Sequence, residues 1–478
     1  MHHPRISPPG RWPFALSVLL LFAGCSTLTH YTERIAPAIQ SYESGRLEDA
    51  YKWVEKRADS RLDRLVYTLE AALIHHTQGH LEESNEEFSR AESFIREQEQ
   101  KALISASGTA QQAASLLVNE KTLPYSGEPF EKVLLNSYKA LNYLLLRQYE
   151  DARVEIRRTF ARQVENRERL ERELQALERR ARSERLDLPN LYNQVYASYG
   201  DQSHIASRIS NLYEDAFAYY LSALVYMLNG EFNDAYIDLK KACSLRPGIP
   251  WLEADLLEAA RRSGLHEERR QWEKTFGRKA PEPAPGRGRC IVVFECGMAP
   301  RKTEVRIPLY VPNVGMVTLA FPKYEILPNR IDHAAILSRD GTLIGTTSVL
   351  TDIEATAIRS LSDKMPVLVI KQMLRAAAKG AIQKTAADNA GLAGALAANL
   401  YSAVTEQADL RSWVTLPGNI QVLSLDLPAG RHDLVLAARG PGGYSVETKQ
   451  FTIDIAPDRW AFVDVRATSS RIVSLRVY

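Results

Sequence analysis

A chain of 478 residues is long enough for about three domains. Hydrophobic residues make up 45% and charged residues 25%, with 25 Gly and 23 Pro, which excludes collagen-like, fully disordered and multi-span membrane classes. Lys and Arg number 60 against 58 Asp and Glu, so the basic excess that a nucleic-acid partner calls for is missing, and four Cys are too few for a disulfide scaffold.

Residues 1–24 carry Arg5 and Arg11 and no acidic side chain. The uncharged stretch from Trp12 to Gly24 is shorter than the roughly 20 helical residues that span a bilayer, and it reads as a secretory signal. Leu21-Phe22-Ala23-Gly24-Cys25 resembles the bacterial lipobox, with Phe22 where Leu is commoner. The resemblance implies a covalent lipid on Cys25, which becomes the new N-terminus; no other cofactor is expected. Ser26, rather than Asp, follows the cysteine, which implies sorting to the periplasmic face of the outer membrane. Without residues 1–24 the chain has 58 basic and 58 acidic residues, so acyl chains rather than a polybasic surface must hold it to lipid.

A repeat follows. Gly45 and Gly79 lie 34 residues apart in similar surroundings, as do Gly230 and Gly264, and Arg147 takes the glycine place before Tyr149-Glu-Asp-Ala152. A 34-residue helix–turn–helix period is the tetratricopeptide pattern. In the clearest unit Gly230 ends the first helix, Phe232 and Ala235 pack the turn and second helix, and Pro247 stops it. Ala152 matches Ala235 in the third unit. First helices of such arrays line the concave side. In this register the candidate binding groove is Val66, Leu69 and Leu73, then Leu134, Leu141, Leu144 and Leu145, then Phe217, Tyr220, Leu224 and Met227. So apolar a groove either takes an apolar peptide or is filled by the chain's own inserted helix. That insertion, at about residues 161–212, has Leu170, Leu174, Leu177 and Ala181 on one seam and is expected to fold back through Leu188 to Leu212.

Residues 278–288 hold three Pro and two Gly and read as a semi-rigid linker between residues 25–277 and 289–478. Beyond it the period changes from 3.6 to 2. Strands are expected at Cys290–Phe294, Val305–Tyr310, Val317–Phe321, Ala334–Ser338, Ile420–Leu427, His432–Ala438, Tyr444–Ile455, Trp460–Val465 and Arg471–Tyr478, suggesting an antiparallel sandwich. An Ala-rich segment at about 351–408 interrupts them as an inserted helical hairpin. The fold class is therefore α+β multidomain, a tetratricopeptide-like superhelix followed by a β-rich domain.

Four stretches carry a resemblance to a known family. They are Ala140-Leu-Asn-Tyr-Leu144, Tyr149-Glu-Asp-Ala-Arg-Val-Glu155, Glu295-Cys-Gly-Met-Ala-Pro300 with Val305-Arg-Ile-Pro308, and Arg411-Ser-Trp-Val-Thr-Leu-Pro417. The chain resembles a family of Gram-negative lipoproteins with tetratricopeptide-like N-terminal halves over most of residues 25–478. The resemblance implies location and architecture and no reaction. It also associates the chain with lipoproteins that activate peptidoglycan synthases.

Motifs for chemistry are missing: there is no G-x-x-x-x-G-K-[ST], H-E-x-x-H, G-x-S-x-G or C-x-x-C. His75, His76 and His80 cluster on one helix end, but no neighbouring Asp or Cys completes a metal set, so neither a metal nor a catalytic residue is expected. Cys243 reads as a small core residue. The functional expectation is a lipid-anchored scaffold with envelope protein partners. A regulator of cell-wall synthesis and a structural subunit of an envelope complex are the alternatives.

Overall fold

The computed structural model describes residues 30–106, 120–184, 186–200, 202–209, 212, 214–280, 282, 284–311, 314–405 and 407–478, except the side chains of 102–106 and 381–405. Cys25 and residues 1–24, read from the sequence as a signal segment, lie outside them.

Five helix pairs come first: α1 (Tyr31–Glu43) and α2 (Leu47–Glu55), α3 (Arg64–Gln78) and α4 (Leu81–Ala106), α5 (Pro129–Leu145) and α6 (Tyr149–Ser183). After α7 (Leu188–Tyr199) come α8 (Ala216–Leu228) with α9 (Phe232–Leu245), and α10 (Pro250–Arg262) with α11 (His266–Phe276). Each pair turns on a left-handed residue. Gly45, Gly79, Gly230 and Gly264 have φ of +79°, +79°, +78° and +71°, and Arg147 has +61°. That backbone costs glycine nothing and closes the end of the first helix. Ala152 and Ala235 are fully buried where the helices of a pair meet. Phe232 is stacked under the Arg262 guanidinium at 3.8 Å, and Pro247 follows Arg246, the C-cap of α9.

The first helices α3, α5 and α8 are buried almost all round, whereas α11 has no buried residue. A helix that is apolar on every side needs cover on every side, and the second half supplies it. Strands β1 (Arg287–Cys296), β6 (Ser348–Asp352), β7 (Asn419–Pro428), β10 (Trp460–Ala467) and β11 (Ile472–Val477) form one sheet in the order β11-β10-β1-β7-β6. A second sheet runs β5-β4-β8-β9, with β4 His333–Ser338, β5 Leu343–Thr346, β8 Gly430–Arg439 and β9 Ser445–Ile455. Strands β2 (Arg301–Val311) and β3 (Gly315–Glu325) make a separate hairpin.

Two expectations change here. The sandwich is mixed, because β1 runs parallel to β10 while it pairs antiparallel with β7. The central sheet is also covered on both faces. Cys290, Val292, Phe294 and Cys296 pack toward the four-stranded sheet. Ile291 and Val293, with Val422 and Phe462, pack into the core of the helical array. Double burial explains why residues 290–294 are continuously apolar instead of alternating. The linker is consequently no spacer between independent modules, since the halves share a core. β5 and β6, which sequence periodicity missed, are short strands of four and five residues.

The insertion is helical from Ile353 to Thr405 (α12), with Pro366 inside it. Gln372 donates to the Ala320 carbonyl at 2.7 Å, and Ala408 packs on the same Ala320. Lys371 reaches Glu120, while the neighbouring Lys121 reaches Gln407. Positions 371–372 and 407–408 thus lie side by side. Some 30 helical residues between them would span about 45 Å if straight, so the path reverses. Helix α7 does not enter the groove; Tyr199 donates to the Pro322 carbonyl and Gln202 to that of Tyr324, on strand β3.

Candidate functional site

Leu69, Leu73, Leu141, Leu144, Leu145, Phe217, Tyr220, Leu224 and Met227 do line the inner face of the array, but every one is buried. Of the two possibilities, an open groove and a self-filled one, the burial fits the second. The cover is the central sheet together with residues 409–417 rather than the inserted helix that was the other candidate. Trp413 is 1% exposed and packs between Phe88 and Tyr138, ring centroids 5.7 and 6.0 Å away.

Charged side chains from the array hold this segment as they would a bound peptide. Glu131 accepts the Trp413 N–H at 2.7 Å. Glu70 accepts the N–H groups of Val414 and Thr415 at 2.8 and 3.0 Å and the hydroxyl of Tyr31. Burial raises the Glu70 pKa to about 7 against the pull of these donors. Arg411 pairs with Asp409 and Asp63 and donates to the carbonyls of Leu62, Glu120 and Leu123. Tyr220 donates to Asp255 at 2.8 Å, and Asp255 pairs with Arg289 of β1 at 2.9 Å. Lys302 of β2 and Lys364 of α12 both contact Glu128, the N-cap of α5. Burial works against the Glu128 charge, but the two ammonium groups hold its pKa at about 2.

The seam also contains a fully buried ionic centre. His76 of α3 faces Glu295 of β1 at 2.8 Å and Asp464 of β10 at 3.6 Å through Nε2. Its Nδ1 meets Asn142 Oδ1 at 2.6 Å. Burial lowers the His76 pKa, yet the neighbouring carboxylates outweigh it and raise it to about 9. Asp464 is pushed up to about 7 by burial, with His76 opposing. Arg466 donates to Tyr42 and to the carbonyls of Glu295, Gly297, Ala467 and Thr415.

Of these seam residues only His76 and Tyr220 stood out by spacing, because the partners of the rest are far away in sequence. Two signals were present. Glu70 interrupts the apolar run of α3, and the stretches 295–300 and 411–417 that carry the family resemblance are the ones that lock the halves together.

A cleft stays open at the edge of the seam. Phe130, Val133, Leu134, Leu212, Leu245 and Leu350 wall it, and Asp215, Arg246 and Asp352 supply its charge. Its interior offers about 60 Å³ to the centre of a water molecule, room for a few waters or one slim side chain. Thr351 donates to Asp215, and Arg246 donates to the Leu350 carbonyl at 3.0 Å, so the polar groups mainly brace the walls. No helix among the described residues is long and apolar enough to cross a membrane.

Comparison with family models and with curated protein sequences gives no match. Among solved structures the chain is similar to MamA protein, with 12% identity and a TM-score of 0.29 over 52% of this chain and 87% of that one. It is also similar to a putative kinesin light chain of Podosopora anserina with nearly identical TPR-like repeats (16%, TM-score 0.27, 51% of this chain and 92% of that one). A tetratricopeptide repeat protein from Parabacteroides merdae matches at 14% identity and TM-score 0.23, over 52% of this chain and 80% of that one. Such scores add no argument of their own. The tetratricopeptide-like character of the helical half rests on its five turns and the 34-residue spacing within it.

Proposed function

We propose that this protein is a scaffold for protein partners, tethered by a lipid on Cys25 to the periplasmic face of the outer membrane and serving envelope assembly or its regulation. The observation that supports it is the state of the repeat array. Its inner face is covered by the chain's own sheet, so array and sheet share one core. The seam cleft beside it has braced polar groups and apolar walls, the composition of a recognition pocket. Envelope proteins are the partners, docking through the cleft and the solvent-facing second helices rather than through the groove.

The test has two parts. Mass spectrometry of the membrane-extracted protein should find acyl chains on Cys25, and Cys25→Ser should leave unprocessed precursor or a soluble product. A photo-crosslinking residue at Thr356, in the cleft, should yield a discrete adduct with an envelope protein, while one at the exposed Asp454 should not. An unlipidated Cys25 refutes the anchor, and equal, diffuse labelling from both positions refutes the cleft as a docking site.

A further inference from the structure

At the centre of the seam, His76, Glu295 and Asp464 converge from α3, β1 and β10, and we propose that they form a structural site for one divalent cation of the zinc class, pinning the helical array to the central sheet. Their candidate ligand atoms all lie within 4.8 Å of one another. Nε2 of His76 is 2.8 Å from Glu295 Oε1 and 3.6 Å from Asp464 Oδ2. Two ligands on one tetrahedral zinc, each bonded at about 2.0–2.1 Å, stand roughly 3.3 Å apart. The two separations from the imidazole bracket that value.

The imidazole is oriented for the task. Asn142 Oδ1 accepts from Nδ1, and the Asn142 amide cannot flip freely because its Nδ2 donates to Ser84 Oγ and Asn85 Oδ1, both at 2.9 Å. Nδ1 therefore carries the hydrogen and Nε2 faces the carboxylates, as when an acceptor behind a metal-binding histidine fixes its tautomer.

A second observation is that the same centre carries polar atoms left without a partner. Glu295 Oε2, Asp464 Oδ1 and the Tyr138 hydroxyl are buried without a hydrogen-bond partner. Their residues are 0%, 2% and 1% exposed, and the Tyr138 ring lies edge-on to His76 at 5.2 Å. Buried polar atoms without partners are rare in folded chains, and three of them on the residues of this one centre need an explanation. The charges agree. Two carboxylates match a divalent ion, while Arg466 disperses its charge over four carbonyls and Tyr42, with Nε 3.8 Å from Glu295 Oε2. An imidazole with two carboxylates suits zinc, manganese or ferrous iron rather than a thiolate-seeking metal. The cation takes the place of the proton between His76 and the carboxylates, and no redox step is involved.

The test uses the full chain without an affinity tag, purified without chelator. Elemental analysis should find about one zinc-class ion per chain. After unfolding with chelator and refolding, the thermal midpoint should be several degrees lower than after refolding with zinc. His75 and His80, whose rings are 5.7 Å apart outside the centre, are the control: replacing both by alanine should leave the metal in place. Asp464→Asn should reduce metal content. Should that variant not fold, the wild-type measurements decide alone. Metal-free wild-type protein that refolds to the same midpoint with and without zinc overturns the site, and so does loss of the metal in the His75/His80 variant.

Discussion

Arg147 stands where four other turns carry glycine, and it pays for that in backbone strain. At φ +61° a side chain is disfavoured by about 1–2 kcal/mol, against which glycine loses roughly 0.5–1 kcal/mol of chain entropy. Arg147→Gly should therefore raise the thermal midpoint slightly, a net gain of at most about 1.5 kcal/mol; a fall would show that Arg147 makes a compensating contact. Glu128 gives a pH signature. Its pKa drops from 4.5 to about 2 on folding, so its contribution is complete above pH 4.5 and is lost as the pH falls through 2. At 1.36 kcal/mol per unit this is about 3 kcal/mol at most. Glu128→Gln keeps an N-cap acceptor and removes the charge. In urea titrations it should be less stable than wild type at pH 6 and converge with it toward pH 2. Tyr220 and Ala235 separate a filled groove from an open one. Tyr220→Ala empties a buried ring site and strips a donor from Asp255, costing about 3–5 kcal/mol. Ala235→Trp overpacks a helix contact for about 1–3 kcal/mol. The tyrosine variant should have the lower urea midpoint; if it unfolds like wild type, the inner face is accessible after all.

Among the elements, those whose pattern is local were legible from residues alone. The helix pairs announced themselves through Gly45, Gly79, Gly230 and Gly264, because a left-handed helix end narrows the choice of residue. Most strands were found through their turns. The two missed strands have four and five residues, too few for a period to register, and β5 carries Gly345 in its middle. What could not be read was which element covers which. The parallel β1–β10 pair joins residues 289–296 to 460–467, and nothing in either stretch names the other. The same limit hid the companions of His76. The linker shows the consequence. Limited proteolysis within residues 278–286 should nick the chain at an exposed, proline-rich site. The two fragments should nevertheless co-elute in size exclusion under native conditions, since Arg289–Glu258, Lys302–Glu128 and Arg411–Asp63 cross the seam. Separation of the fragments would mean that the shared core contributes little.

For the whole molecule, a common core predicts common melting. Calorimetry of the chain should show one dominant transition reported together by helical circular dichroism and by Trp413 fluorescence, rather than two independent ones. The cost of such a design falls on the time axis. Val414 lies 344 residues beyond Glu70, and Arg466 lies 424 beyond Tyr42. At about 5–20 residues per second of synthesis, the array waits on the order of half a minute or more for the strand that closes it. Through that interval the emerging chain displays a long apolar trough with carboxylates along its floor. It is a natural client for a holding chaperone, and a polypeptide cut short before its last two strands would never leave that escort.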